Sequence, residues 1–210
     1  MIRIVYSKRK TVVLSVSREG EAVVRAPIGV DKKFLSDFLE RHAAWLERQL
    51  KKTQSLPKLN LQDGATISLF GDSYRINTGS RAHFSGGVLY LPKEEREGAL
   101  TRLLKRLCKT EMEALTERLA KTHGLFYTGI RISSARGRWG SCNKEKHLSY
   151  SFRLALLPLS LCEYVAAHEL SHTVHLNHSA AFWQKVESIL PDMRTRRKQL
   201  KSYSYVMNYL

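Results

Sequence analysis

Acidic residues are in short supply in this 210-residue chain, 19 against 35 lysines and arginines, which leaves a formal net charge of +16. No acidic cluster is present to cage a hard cation, so the sequence argues against phosphate chemistry run by carboxylate-held Mg²⁺. Cysteine is sparse too. Cys108, Cys142 and Cys162 are odd in number, far apart and without a C-x-x-C pair, which excludes a disulfide framework and points to reduced thiols. Long apolar runs are missing. The greasiest, LALLPLSL at 154–161, is broken by Pro158 and soon followed by Glu163, far short of the ~20 residues of a membrane span. The opening MIRIVYSKRKTVVLSV is interrupted by Arg3 and by Lys8-Arg9-Lys10, so it lacks the apolar core of a signal peptide. The expectation is a cytoplasmic protein with no targeting segment and no membrane contact.

What remains is an ordinary globular composition, 43% apolar, long enough to bury a core without staples. The positive charge attracts polyanions, so nucleic acid or a nucleotide is an expected neighbour through the basic surface. The lysines and arginines are spread over several segments rather than gathered into one aromatic-interleaved block.

The chain changes character near Pro92. Before it, TVVLSVS (11–17) and EAVVRAP (21–27) are β-branched runs joined at Arg18-Glu19-Gly20, a hairpin signal. Asp31 is placed to cap one helix over 32–52, with Phe34, Leu35, Phe38, Leu39, Trp45 and Leu46 at helical spacing. KTQSLPKLNLQDG has linker composition, and TISLF, YRIN and VLYL read as short strands turning at Gly71-Asp72 and Ser85-Gly86-Gly87. After Pro92, Leu100, Leu104, Cys108, Met112, Leu115 and Leu119 trace one stripe of a helix over about 95–122, stopped by Gly124. GIRISS (129–134) and HLSYSFRL (147–154) are strands, with RGRWGSCNKEK as the loop between them. Ser160 and Glu163 form an S-x-x-E capping box opening a helix near 161. A further helix over 180–189 presents Phe182, Trp183, Val186 and Ile189 to a core, and a basic segment, RTRRKQLK, precedes the tail SYSYVMNYL. The expected division is a β-rich section with one helix over 1–92 and a catalytic domain over 93–210.

Four of the eight histidines fall within residues 168–178. Buried imidazoles each need a partner, and the spacing supplies one. His168-Glu169-Leu170-Ser171-His172 is an HExxH sequence. On a helix, residues i and i+4 share a face about 6 Å apart along the axis, so two rings can converge on one ion. Glu169 points elsewhere, badly for a ligand and well for a base toward a zinc-bound water. A catalytic zinc needs a third protein ligand and an open position. His175 on a straight helix sits about 10.5 Å from His168 along the axis. His178 requires the chain to double back, with Asn177 tolerating the left-handed backbone of the turn. Glu187 on the next helix is the carboxylate alternative. Cys142, as a fourth ligand, would close the site and make it structural.

EYVAAHELSH, then NHSAAFW, and upstream RWGSC followed by the strand LSYSFRLAL, resemble the YgjP-like zinc metallopeptidases, relatives of the SprT-like and WLM proteases. The resemblance spans nearly the whole chain, including RAPIGV and AAWLERQL. It implies an α+β fold, with a zincin-like catalytic section whose HExxH helix packs on a small sheet behind a β-rich N-terminal section. It also implies Zn²⁺ held by His168, His172 and His178, with Glu169 as catalytic base, and a polypeptide substrate. RWGSC would lie beside the metal, where Gly140 permits close backbone approach and Arg138 or Ser141 could touch substrate. Tyr150, like Tyr203 and Tyr205, is a candidate donor to the substrate. Phe182 and Trp183 read as core. Strand 147–154 is the expected sheet edge on which a peptide adds as an extra strand. Some members carry a nucleoside triphosphate (UTP) pyrophosphatase label, the first alternative. The second is a nucleic-acid-associated protein with structural zinc, whose binding would weaken steeply with salt.

Overall fold

The structure, a computed structural model, describes residues 2–17 and 20–210. It divides into two compact units, Met1–Lys58 and Leu59–Leu210.

In the first unit, β1 (Ile2–Ser7), β2 (Val13–Val16) and β3 (Ala22–Pro27) form a sheet in the order β1-β3-β2. β2 and β3 pair antiparallel, as the hairpin signal predicts. Gly20 closes the turn at φ +83°, a conformation free of cost only for glycine; Arg18 and Glu19 of that turn lie outside the described residues. β1, not expected from the pattern, adds parallel to β3 as an edge strand with Ile4 and Tyr6 exposed. Helix α1 (Lys32–Arg41) starts where Asp31 accepts a 2.7 Å bond from the Phe34 amide. The single helix expected over 32–52 is in fact two, because His42 leaves helical geometry (φ −104°, ψ 6°) before α2 (Ala43–Ser55) begins. The His42 ring donates back to the Phe38 carbonyl at 2.7 Å and packs against the Phe38 ring, fixing the break. Val24, Ala26 and Leu35 make the unit's small core.

The second unit holds everything else. β4 (Thr66–Leu69), β5 (Asp72–Thr78), β6 (His83–Ser85) and β7 (Val88–Leu91) form a sheet in the order β4-β5-β7-β6. The β6–β7 turn uses Gly86 and Gly87 at positive φ, the backbone that two-residue hairpins require. The boundary between the compact units falls after Lys58. The reason is packing: Ile67, Leu69, Ile76, Leu89 and Leu91 of this sheet share one core with the helices that follow. The Phe70 amide and carbonyl also bond Ala155 and Leu159, at 2.9 and 3.0 Å.

Helix α3 (Arg96–His123) buries all six residues of its expected stripe and ends at Gly124, φ +61°. β8 (Gly129–Ser133), β9 (Gly140–Cys142) and β10 (His147–Ser151) follow. Their order, β8-β10-β9, makes β10 the central strand, parallel to β8 and antiparallel to β9. The strand expected as a peptide-accepting edge thus has both sides occupied, and β9 is an edge instead. The strand also stops early, since Phe152–Leu156 is a 3-10 helix. Next come α4 (Leu159–Ser171), α5 (Ala180–Ile189), α6 (Met193–Ser202) and a 3-10 turn, Ser204–Asn208. Helix α4 is apolar on nearly every side, as a helix inside a core must be. Its N-terminus is not the expected capping box. Pro158 occupies the cap position without a side-chain bond, and Glu163 instead binds Arg118 of α3 at 2.7 Å and Arg196 of α6. Burial alone would raise the Glu163 carboxyl, but the two guanidinium groups hold it below its usual range. No helix among the described residues is long and apolar enough to cross a membrane.

Candidate metal centre and its cleft

The end of α4 sets the site. His168 lies in the helix's last turn, and His172 is the first residue beyond it, still near helical geometry at φ −69°, ψ −16°. The chain then tightens. Thr173, Val174 and His175 donate their amides to Leu170, Ser171 and Ser171, and the Thr173 hydroxyl donates to the Leu170 carbonyl at 2.7 Å. Asn177 supports the return with its side chain, which accepts the Ser179 amide at 3.2 Å, and not with a left-handed backbone. Ser179 then caps α5 by accepting the Phe182 amide. This short turn delivers His178 against the helix it has just left.

His168, His172 and His178 form a near-equilateral triangle, with ring centroids 5.0, 5.1 and 4.8 Å apart. Nitrogen atoms of the three rings all lie within 4.8 Å of one another. Nε2 of His168 and Nε2 of His178 meet at 3.2 Å, close to the ~3.3 Å edge of a tetrahedron with ~2.0–2.1 Å zinc–nitrogen bonds. Nδ1 of His172 donates to the His175 carbonyl at 2.9 Å. That bond fixes the tautomer and leaves the Nε2 lone pair for a ligand's role. Burial, then the neighbouring imidazoles and Arg197, push His168 down to about 3, so the ring is neutral at physiological pH. Burial likewise lowers His172, against the bond to His175. Three converging imidazoles fit a borderline-soft divalent ion.

The alternatives weighed from spacing do not join them. His175 contributes its carbonyl and its ring is not in the cluster. Glu187 faces Arg194 at 3.5 Å. The Cys142 thiol donates to the Asn143 carbonyl, and burial pushes it up to about 11.

Aromatic rings hold the triangle from below. Phe182, fully buried, lies 4.9, 4.4 and 4.8 Å from His168, His172 and His178. Trp183 stacks on His178 at 5.6 Å; it is partly buried, packed against the core as expected, and also lines the cleft.

Glu169 is 5% exposed and lies against β9. Gly140 makes this contact feasible. A β-carbon there would meet Cγ and Oε1 of Glu169 at 2.7 Å, a distance no side chain tolerates. Burial pushes the Glu169 carboxyl up to about 8, tempered by the guanidinium of Arg138. A carboxyl poised near neutrality is suited to accepting and returning a proton.

His168, His178 and Glu169 lie at one side of a cleft of about 720 Å³ whose other walls include Arg138, Tyr164, Trp183 and Arg197. Arg138, one of the candidates for substrate contact, lines this cleft. Ser141 is half-buried within β9, paired with Ser149, and is not a lining residue. Tyr150 is corrected outright: it has no exposed surface, and its hydroxyl bonds Thr116 at 3.1 Å inside the core. Alternation placed Tyr150 on one face of its strand but could not say that α3 covers that face. Tyr164, Arg197 and Lys201 were missed as cleft residues. The i, i+4 spacing of Arg197 and Lys201 was the available signal.

The sequence model of one family, described as the YgjP-like metallopeptidase domain, matches residues 10–203. No curated protein matches the chain. Among solved structures, the metallopeptidase zymogen abylysin of Pyrococcus abyssi is similar at 21% identity, over 43% of this chain and 92% of that one, with a TM-score of 0.40. A mutant of Wss1 from Saccharomyces cerevisiae is similar at 16% identity, over 51% of this chain and 86% of that one, with a TM-score of 0.37.

Proposed function

The chain belongs to the YgjP-like metallopeptidase family, and from that premise we propose that it is a zinc-dependent peptidase of the HExxH type. His168, His172 and His178 hold the metal, and Glu169 is the catalytic base. The observation that carries this reading is the convergence of three imidazoles within 4.8 Å beside a buried carboxylate, at the edge of one cleft. When bound, zinc supplies a Lewis acid that polarises the scissile carbonyl and makes water more acidic.

The chain's own residues do the rest. Glu169, deprotonated, accepts a proton from the attacking water and passes it to the amine that leaves, restoring its starting state. Its raised proton affinity suits both halves of that transfer. Gly140 fixes its distance from β9, and Arg138 moderates its charge. Phe182 packs against all three rings and supports their orientation. The substrate backbone adds antiparallel or parallel to the outer side of β9, the edge strand beside Glu169.

Purified protein of defined metal content should cleave an unfolded polypeptide and not UTP. Glu169→Gln should lose about 10²–10⁴ of that rate, the usual worth of a positioned base, while retaining its zinc. Full activity in that variant, or turnover of UTP alone, overturns the proposal.

A further inference from the structure

The basic segment after Pro191 has no part in proton transfer, yet on α6 its cations divide sharply. Arg194 pairs with Glu187, and Arg196 with Asp192 at 2.8 Å and with Glu163. Arg197 and Lys201, one turn apart on the same face, turn instead into the cleft, where Arg138 joins them from the loop before β9. Among the described residues, none of these three has a carboxylate within ion-pair distance. Arg197 is nonetheless held in place, its guanidinium 4.2 Å over the Trp183 ring, and Trp183 lies 5.7 Å from His168. Such stacking fixes a guanidinium while leaving its N–H donors available. Glu169 is the cleft's one carboxylate, and it lies deep in the wall.

Three cations without an ion-pair partner, exposed along one cleft, make an anion site, because charge-assisted hydrogen bonds are shorter and stronger than neutral ones. We infer that Arg138, Arg197 and Lys201 bind a carboxylate of the substrate polypeptide close to the bond that is cut, so the enzyme selects acidic residues. This rests on the peptidase reading. A polypeptide carboxylate fits better than a nucleotide phosphate. The cations come from two separate elements, with no glycine-rich loop to cradle phosphates, and are interleaved with Tyr164, Val165, Trp183 and Leu200, which suit side chains.

The test measures equilibrium binding to zinc-loaded Glu169→Gln protein. The probes are an acetylated, amidated peptide with a central Asp-Glu, its Asn-Gln isostere, its Lys-Lys counterpart, the isostere with a free C-terminus, and UTP. The acidic peptide should bind at least about tenfold tighter than its isostere, the scale of one charge-assisted hydrogen bond. That advantage should vanish in R197Q/K201Q and pass to the Lys-Lys peptide in R197E/K201E, an inversion that a merely structural role would not produce. An advantage confined to the free C-terminus assigns the subsite to the terminal carboxylate. Equal binding of acidic peptide and isostere overturns the inference, as does no binding of any peptide. So does UTP binding tighter than every peptide through the same residues. Turnover of the wild type on these peptides reads the peptidase proposal separately: acid-selective binding without cleavage sinks that reading and leaves the subsite standing.

Discussion

Gly140 and Glu169 are in contact closely enough that the glycine's missing side chain is part of the site. A β-carbon at 140 would lie 2.7 Å from Oε1 and 2.9 Å from Cδ of the carboxylate. Gly140→Ala should therefore push Glu169 out of line and lower kcat about 10²-fold, as a displacement near 1 Å does, with metal content unchanged. Metal analysis beside a turnover assay checks this, and a wild-type kcat would refute it.

The two histidines of the turn should behave differently. His175 lends only its backbone carbonyl to His172, so His175→Ala should keep the metal. His178→Ala removes a proposed ligand and should weaken metal binding by more than the about 10–100-fold typical of disturbing a group behind the ligands. Competition with a chelating dye compares them; equal affinities would remove His178 from the ligand set.

Glu169 makes the stability of the metal-free protein depend on pH. Its folded value near 8 exceeds its ordinary value of 4.5. Below that ordinary value the group is protonated in both states and costs nothing. As pH rises toward 8 only the unfolded chain gives up the proton, so stability falls across that window and then levels. His168 acts oppositely: its folded value near 3 lies below 6.5, so stability falls as pH drops through that range. Thermal unfolding of the metal-free wild type and Glu169→Gln should show the variant's advantage growing from about pH 5 to 8. A gap that stays constant with pH contradicts the burial of this carboxyl.

Tyr150 sits in the core with its hydroxyl on Thr116. Tyr150→Phe should cost about 1 kcal/mol of stability, the net worth of one such bond, and leave kcat and KM unchanged. A large loss of turnover with little loss of stability would return Tyr150 to the substrate.

Ser160 and Glu163 test what starts and anchors α4. With no capping bond from Ser160, Ser160→Ala should lie within about 0.5 kcal/mol of wild type. Glu163→Ala takes from Arg196, which is 16% exposed, one of its two carboxylate partners and leaves it Asp192, and should cost about 1–3 kcal/mol. Denaturant unfolding of both variants decides; a costlier Ser160→Ala would restore the capping box.

Local pattern alone determined a good part of this protein. The stripe from Leu100 to Leu119, the stop at Gly124, the β2–β3 hairpin and the HExxH pair at one helix end follow from periodicity and backbone preference, which act between near neighbours. Tertiary structure decided what depends on groups distant in sequence. It brought His178, and neither the His175 ring nor Glu187, up to His168 and His172, because a tight turn after Ser171 folds the chain back. It buried Tyr150 because α3 covers that face of β10. It made β10 central because β9 takes its open side, and it drew Glu163 away from capping because Arg118 and Arg196 reach it first. Alternation says which residues share a face and charge says which seek a partner; only packing says which face is covered and which partner arrives.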